Sequence, residues 1–197
     1  CEAWSDELRS LFRSYVDAKQ SHSVLDYDDL LLCWHHLMGE PSLALEISRQ
    51  FDHVLVDEYQ DTNALQSAIL LRLKPDGEGM TVVGDDAQSI YSFRAATVRN
   101  ILDFPSRFEP PAQVVTLEEN YRSTTPILAA CNSVIAGARE RFTKNLFSHR
   151  ASHQLPVLAV VEDETSQAEY VAEHILEHRE AGIPLHRQAV LIRTSHH

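Results

Sequence analysis

The residues best placed to do chemistry are Asp57 and Glu58, which end the apolar run Val54-Leu55-Val56. A short run rich in β-branched residues suits a buried strand. A parallel strand delivers the residues at its carboxyl end to the edge where α/β proteins bind ligands. Two adjacent carboxylates there can divide two jobs. One holds a divalent cation on phosphate oxygens, and the next orients or deprotonates an attacking water. The same run also fits a strand that ends in a solvated acidic turn, and the pair alone does not choose between them.

The surrounding residues narrow the choice. The acidic pair sits in Val56-Asp57-Glu58-Tyr59-Gln60-Asp61-Thr62-Asn63. Further on come Val82-Val83-Gly84-Asp85-Asp86-Ala87-Gln88-Ser89-Ile90-Tyr91-Ser92-Phe93-Arg94-Ala95 and Leu117-Glu118-Glu119-Asn120-Tyr121-Arg122-Ser123. In order and spacing these resemble the second, third and fourth helicase motifs of the UvrD/Rep/PcrA family in superfamily one. The segment Leu25-Asp26-Tyr27-Asp28-Asp29-Leu30 resembles the Asp-Phe-Asp-Asp-Leu stretch that the family carries upstream of its acidic strand. By motif, the resemblance runs from Leu25 to Ala136.

The resemblance implies a role for each matching position. Asp57 would ligand Mg2+ and Glu58 would be the catalytic base. Gln88 would sense the γ-phosphate, with Arg94 close behind it. Tyr121 would stack on the adenine of ATP, and Arg122 would act as an arginine finger. Tyr27, Tyr91 and Phe93 would face single-stranded DNA. Elementary chemistry agrees: a planar, always-charged guanidinium suits phosphate charge, and an aromatic face stacks on any base without reading sequence. Core packing is the commoner fate of such aromatics. Ala87 and Ala95 stand where the family usually has Asp and Gly, and Gly is often kept where φ is positive.

The activity so implied is an ATP-dependent DNA helicase or translocase, moving 3′ to 5′ on single strands and unwinding duplex in repair or recombination, with proteins of those pathways as partners. A helicase–nuclease subunit of the RecB or AddA kind shares these motifs. A non-catalytic DNA-binding scaffold would keep the fold without the chemistry, and the presence of Asp57, Glu58, Gln88 and Arg122 argues against it. A phosphate-binding loop needs Gly-x-x-x-x-Gly-Lys followed by Ser or Thr. None of Lys19, Lys74 and Lys144 lies in that pattern. The 197 residues therefore carry part of an ATP site, the isolated chain is expected to be inactive, and the whole reads as an internal piece of a longer polypeptide.

Strands and helices must position these groups. Apolar periodicity predicts helices over 5–19, 28–38 and 42–49, with Ser5 capping the first and Leu8, Leu11, Phe12, Tyr15 and Val16 on one face. Leu30, Leu31, Trp34 and Leu37 read as core of the second helix. Strands are expected at 53–56, 80–83, 113–117, 155–161 and 188–192. Helices are expected over 63–73, capped by Thr62, and over 95–104, 125–136 and 166–181. Their alternation predicts an α/β fold of RecA-like parallel sheets flanked by helices, in the P-loop NTPase class, behind an all-helical N-terminal part. The expected division is a helical part at 1–50, part of a first motor domain at 51–111, and the start of a second at 112–197, with Pro105, Pro110 and Pro111 marking the junction.

Composition bounds the rest. A net charge of −12 is unfavourable for DNA binding by the bulk surface, since phosphates want Lys and Arg. Aromatic stacking or a local cleft escapes that objection. Cys1, Cys33 and Cys131 form no CxxC pair, which suggests a reducing compartment and a cytoplasmic protein. No apolar run approaches membrane-spanning length, so no membrane association is expected. His174-Ile175-Leu176-Glu177-His178 matches a zinc-protease pattern, but it reads better as the edge of an amphipathic helix. His35-His36 and His196-His197 read as surface residues.

Overall fold

A computed structural model describes residues 4–192 of the chain. His196, His197 and Cys1 lie outside the described residues. Three helices come first: α1 (Ser5–His22), α2 (Tyr27–Leu37) and α3 (Pro41–Ser48). Ser5 is the first residue of α1 rather than its cap, and the capping position is Trp4, which makes no side-chain cap bond. The apolar face of α1 is amphipathic as expected yet exposed throughout. In α2 only Leu31 packs inward, against Met38, Ile69 and Leu73, while Leu30, Trp34 and Leu37 stay exposed. The helix lies over α4 (Ala64–Leu73), and a surface helix buries one narrow stripe rather than its full apolar set.

β1 (Val54–Val56) and β2 (Met80–Val82) pair in parallel, with Val54 opposite Met80 and Val56 opposite Val82. The crossover between them is α4, the connection a parallel pair requires. Asn63, not Thr62, caps α4: its side chain accepts from the Gln66 amide while Gln66 returns a bond to the Asn63 amide. The helix expected at 95–104 shrinks to α5 (Arg99–Asp103), because Ala95 turns left-handed at φ 60° and breaks the run. Tyr59, Ile101, Phe104 and Phe108 form the core beneath β1 and β2, with edge-to-face ring contacts from Phe104 to Tyr59 and to Phe108.

α6 (Thr125–Ile135) and α7 (Glu164–Glu180) follow. The strands expected at 113–117, 155–161 and 188–192 are absent among the described residues; those segments carry no regular secondary structure and are largely exposed. The physical reason is pairing: a strand exists only against a partner, and the only β-bridge in this region among the described residues is an isolated parallel one between Glu119 and Phe147. The fold is thus α/β with a two-stranded parallel sheet among the described residues. No described helix is long and apolar enough to cross a membrane.

Candidate functional site: two polar loops and the segment between them

The carboxyl ends of β1 and β2 lie side by side, so the residues that follow each strand meet. Asp57 and Glu58 emerge exposed from β1. The Glu58 amide donates to Asp57 Oδ1 at 2.9 Å, and Glu58 sits left-handed at φ 50°. A non-glycine residue held there stores backbone strain, a state that persists only where its surroundings fix it. They do so here: the Tyr59 amide donates to the Val83 carbonyl at 2.9 Å, and the Tyr59 ring is 1% exposed.

Gln60 joins the two strand ends. It is almost fully buried, and both ends of its amide are used: Nε2 donates to Glu58 Oε2 at 2.7 Å, and Oε1 accepts from the Asp85 amide at 3.0 Å. Gly84 makes room for it, since a Cβ there would stand 2.5 Å from Gln60 Oε1 and 2.7 Å from Ile101 Cδ1. Gln88 closes the turn by donating from Nε2 to Asp85 Oδ2 at 2.9 Å, and the Ala87 amide donates to Asp85 Oδ1. Glu58, Gln60, Asp85 and Gln88 thereby form one continuous hydrogen-bonded chain.

Lys144 completes this turn from far along the sequence. Its ammonium pairs with Asp85 and, at 2.8 Å, with Asp86. Burial pushes the Asp85 carboxyl up, but bonds from Lys144 and Gln88 outweigh it, so the group lies below the usual carboxylate range. Burial pushes the Lys144 ammonium down, and its bonds to Asp85 and Asp86 more than reverse this, so its pKa lies above the usual lysine value.

Tyr121 and Arg122 occupy a second, exposed loop. Asn120 shapes it by accepting the amides of Arg122 at 3.0 Å and Ser123 at 2.7 Å. Arg150 clamps it from the other side, donating to the carbonyls of Tyr121 and Arg122. The Tyr121 hydroxyl donates to Glu119 at 2.7 Å, which raises its pKa. Among the described residues, no hydrogen bond or ion pair joins Tyr121 or Arg122 directly to Asp57 or Glu58.

Tyr91 and Phe93 lie together, with ring centroids 5.7 Å apart and Phe93 well exposed. Arg94 ends the turn Ser92–Arg94, and its side chain lies outside what is described. Tyr27 opens α2 and is 87% exposed. Asp26 and Asp29 cap that helix reciprocally, and Lys19 pairs with both, at 2.8 and 2.6 Å. His174 is engaged locally: its ring lies 4.0 Å from that of Tyr170, and Nδ1 contacts the Tyr170 carbonyl.

Gln60, Lys144, Asn120 and Arg150 escaped sequence reasoning. Asn120 and Gln60 stood inside the motifs but suggested no job. Lys144 had one faint signal, being among only three lysines in an acidic chain.

Comparison with known proteins matches residues 2–109 to the UvrD/REP helicase N-terminal domain and residues 115–197 to the UvrD-like helicase C-terminal domain. The chain is 42% identical over 184 residues to ATP-dependent DNA helicase UvrD1 of Mycobacterium tuberculosis (strain ATCC 25618 / H37Rv), covering 87% of this chain and 24% of that protein. It is 34% identical over 192 residues to ATP-dependent DNA helicase PcrA of Staphylococcus epidermidis (strain ATCC 12228 / FDA PCI 1200), covering 97% of this chain and 26% of that protein. The chain spans about a quarter of the length of the curated relatives it matches. With one family model covering more than half of its residues and a second covering most of the remainder, the chain belongs to the UvrD/REP helicase family.

Proposed function

We propose that this chain is the part of an ATP-dependent DNA helicase that hydrolyses the nucleotide and couples hydrolysis to movement on single-stranded DNA. The observation that carries the reading is the chain from Glu58 through Gln60 and Asp85 to Gln88. It joins the proposed base to the proposed γ-phosphate sensor by hydrogen bonds, through the buried Gln60 amide and Asp85. Glu58 accepts the proton of the attacking water. Gln88 exchanges its bond to Asp85 for one to the γ-phosphate. Tyr121 offers an exposed face to the adenine, and Arg122 brings its guanidinium to the phosphates, as does Arg94.

Mg2+ fits the donors present. Asp57 Oδ1 is occupied by the Glu58 amide, while Oδ2 receives no hydrogen bond among the described residues. No described cluster of three His, Cys, Asp or Glu could cage a metal alone. One carboxylate plus nucleotide phosphates is the usual Mg2+ arrangement. Bound there, Mg2+ would neutralise charge on the phosphates; Asp57 would hold it and Glu58 would remain free to act on water.

Tyr91 and Phe93, held as a pair beside Gln88, present stacking surface to single-stranded DNA, with Tyr27 as a further platform. This is the route by which an acidic chain engages DNA strands, and duplex is opened as the strand moves. Two RecA-like sheets, with 51–111 in the first and 112–197 in the second, would be completed by segments beyond this chain. The two family-model matches support that division, and the 1–50 helices form the part leading into the first domain. The 3′ to 5′ direction, the role in repair or recombination, and a cytoplasmic setting follow the family. The acid pair and Gln88 favour an active motor over a scaffold.

The test is Glu58→Gln in the full-length polypeptide. Loss of the base should lower ATP hydrolysis by about 10²–10⁴-fold while ATP binding stays within a few fold. Hydrolysis at the unmodified rate would remove Glu58 from the chemistry.

A further inference from the structure

We propose that Lys144 is a positioning residue that sets Gln88 through Asp85 and links it to the Tyr121–Arg122 loop; this rests on the nucleotide-site reading above. Three cross-connections tie the residues after α6 back to the β-strand region, and they are unequal. Arg99 pairs with Glu140 at 3.0 Å, but both side chains are more than half exposed, and such pairs contribute little. Phe142 packs its ring against the Tyr59 core, and only its backbone amide reaches the turn. Lys144 is different: its side chain is 12% exposed, and it meets Asp86, 3% exposed, and Asp85.

Two neighbouring carboxylates, Asp86 buried and Asp85 partly exposed, repel one another and favour a shared cation. Lys144 is that cation, and its three donors let it serve both. Asp85 is also the acceptor for Gln88 Nε2 and for the Ala87 amide. Placing Asp85 therefore places the turn that carries Gln88. Asp86 is fixed in turn by the Phe142 amide, at 3.1 Å.

The other end of the segment holds the second loop. The Asn145 amide donates to Glu118 Oε1 at 2.7 Å, the Phe147 amide to the Glu118 carbonyl at 3.0 Å, and the Asn120 amide to the Phe147 carbonyl at 2.7 Å. Asn120 then holds the Arg122 amide. A single short segment, 142–147, thus grips the Gln88 turn with one end and the Arg122 loop with the other. Among the described residues the two loops share no direct bond, and this segment bonds to both. Spatial continuity alone does not demonstrate coupling; a mutant cycle does.

The experiment is DNA-stimulated ATP hydrolysis by the full-length polypeptide carrying Lys144→Met, Gln88→Ala, or both, with melting temperatures recorded for each. Lys144→Met should lower kcat about tenfold with KM for ATP nearly unchanged, the signature of a misplaced group rather than lost binding. In the Gln88→Ala background the same change should cost less than about twofold, because the residue it positions is gone. Lys144→Arg, which keeps the charge, should hold kcat within about threefold of the unmodified protein. If Lys144→Met does not fold, Lys144→Gln replaces it with the same expectations. A lowered melting temperature with kcat intact makes Lys144 merely structural and overturns the proposal. So does an equal tenfold loss in both backgrounds. If Gln88→Ala alone leaves hydrolysis unchanged, the nucleotide-site reading falls, and this inference with it.

Discussion

Residues 38–108 and 113–192 use the same sequence grammar and reach different ends. Each contains apolar runs followed by helices. In the first region Val54–Val56 finds Met80–Val82, and the pair is covered by Tyr59, Ile101, Phe104 and Phe108. Among the described residues every buried apolar side chain except Leu128 lies in that region. In the second, the run from Leu155 to Val161 has no ladder partner among the described residues, and Leu158 is 90% exposed. Hydropathy states a demand for burial, but only a neighbouring strand meets it. The difference is a partner, not a pattern.

The comparison breaks most readily at Tyr59. Its ring fills the core, and its hydroxyl contacts Ser67 at 3.0 Å. Tyr59→Ala should destabilise the isolated chain by about 3–5 kcal/mol, the usual cost of removing a buried aromatic ring. Urea unfolding followed by far-UV circular dichroism measures it. A cost under about 1 kcal/mol, typical of surface changes, would mean the first region has no real core.

The same contrast explains what could be read from the residues alone. The acidic pair, the strand before it and the helix after it were legible, because each depends on near neighbours in sequence. Ala95 was legible only in part: the position where Gly is usual does take a positive φ, yet the same residue reads in the sequence as the start of a helix. The alignment of Glu58 with Gln88 was not. It depends on Gln60 reaching Asp85, 25 positions on, and on Lys144 reaching Asp85 from 59 positions away. Long-range polar contacts leave no periodic trace. The later strands do not form among the described residues for the converse reason: their pattern is local, but their existence is pairwise. Tyr121 and Arg122 were singled out through their neighbours in sequence, whereas Arg150, which clamps their carbonyls, lies 29 and 28 positions away.

Helix caps sharpen the comparison at lower energy. Asn63 caps α4, whose Ser67, Ile69 and Leu73 are buried. Asp163 caps α7 with a bond to the Ser166 amide at 2.8 Å, and α7 buries no residue fully. Either residue changed to Ala removes about 1 kcal/mol of local helix stability. At Asn63 that loss should appear in global unfolding, because α4 is locked to the core. At Asp163 it should appear instead as faster amide exchange confined to the first turns of α7, with the global midpoint unmoved. Equal global effects would mean that α7 folds as one unit with the core.

The smallest effect is the most informative. Leu158→Ala in the isolated chain should change stability by less than about 0.5 kcal/mol, since an exposed side chain leaves no cavity behind. In the full-length polypeptide, a strand at 155–161 paired within a completed sheet would bury Leu158, and the same substitution should then cost about 2–5 kcal/mol. The gap between the two measurements is the energy that a partner outside this chain contributes at one residue. An equal, small cost in both would leave 155–161 unpaired in the whole protein, and the exposure of its apolar side chains would need another cause. An equal, large cost would mean that Leu158 is already packed in the isolated chain, and the contrast between the two regions would fail at the residue where it is drawn most sharply.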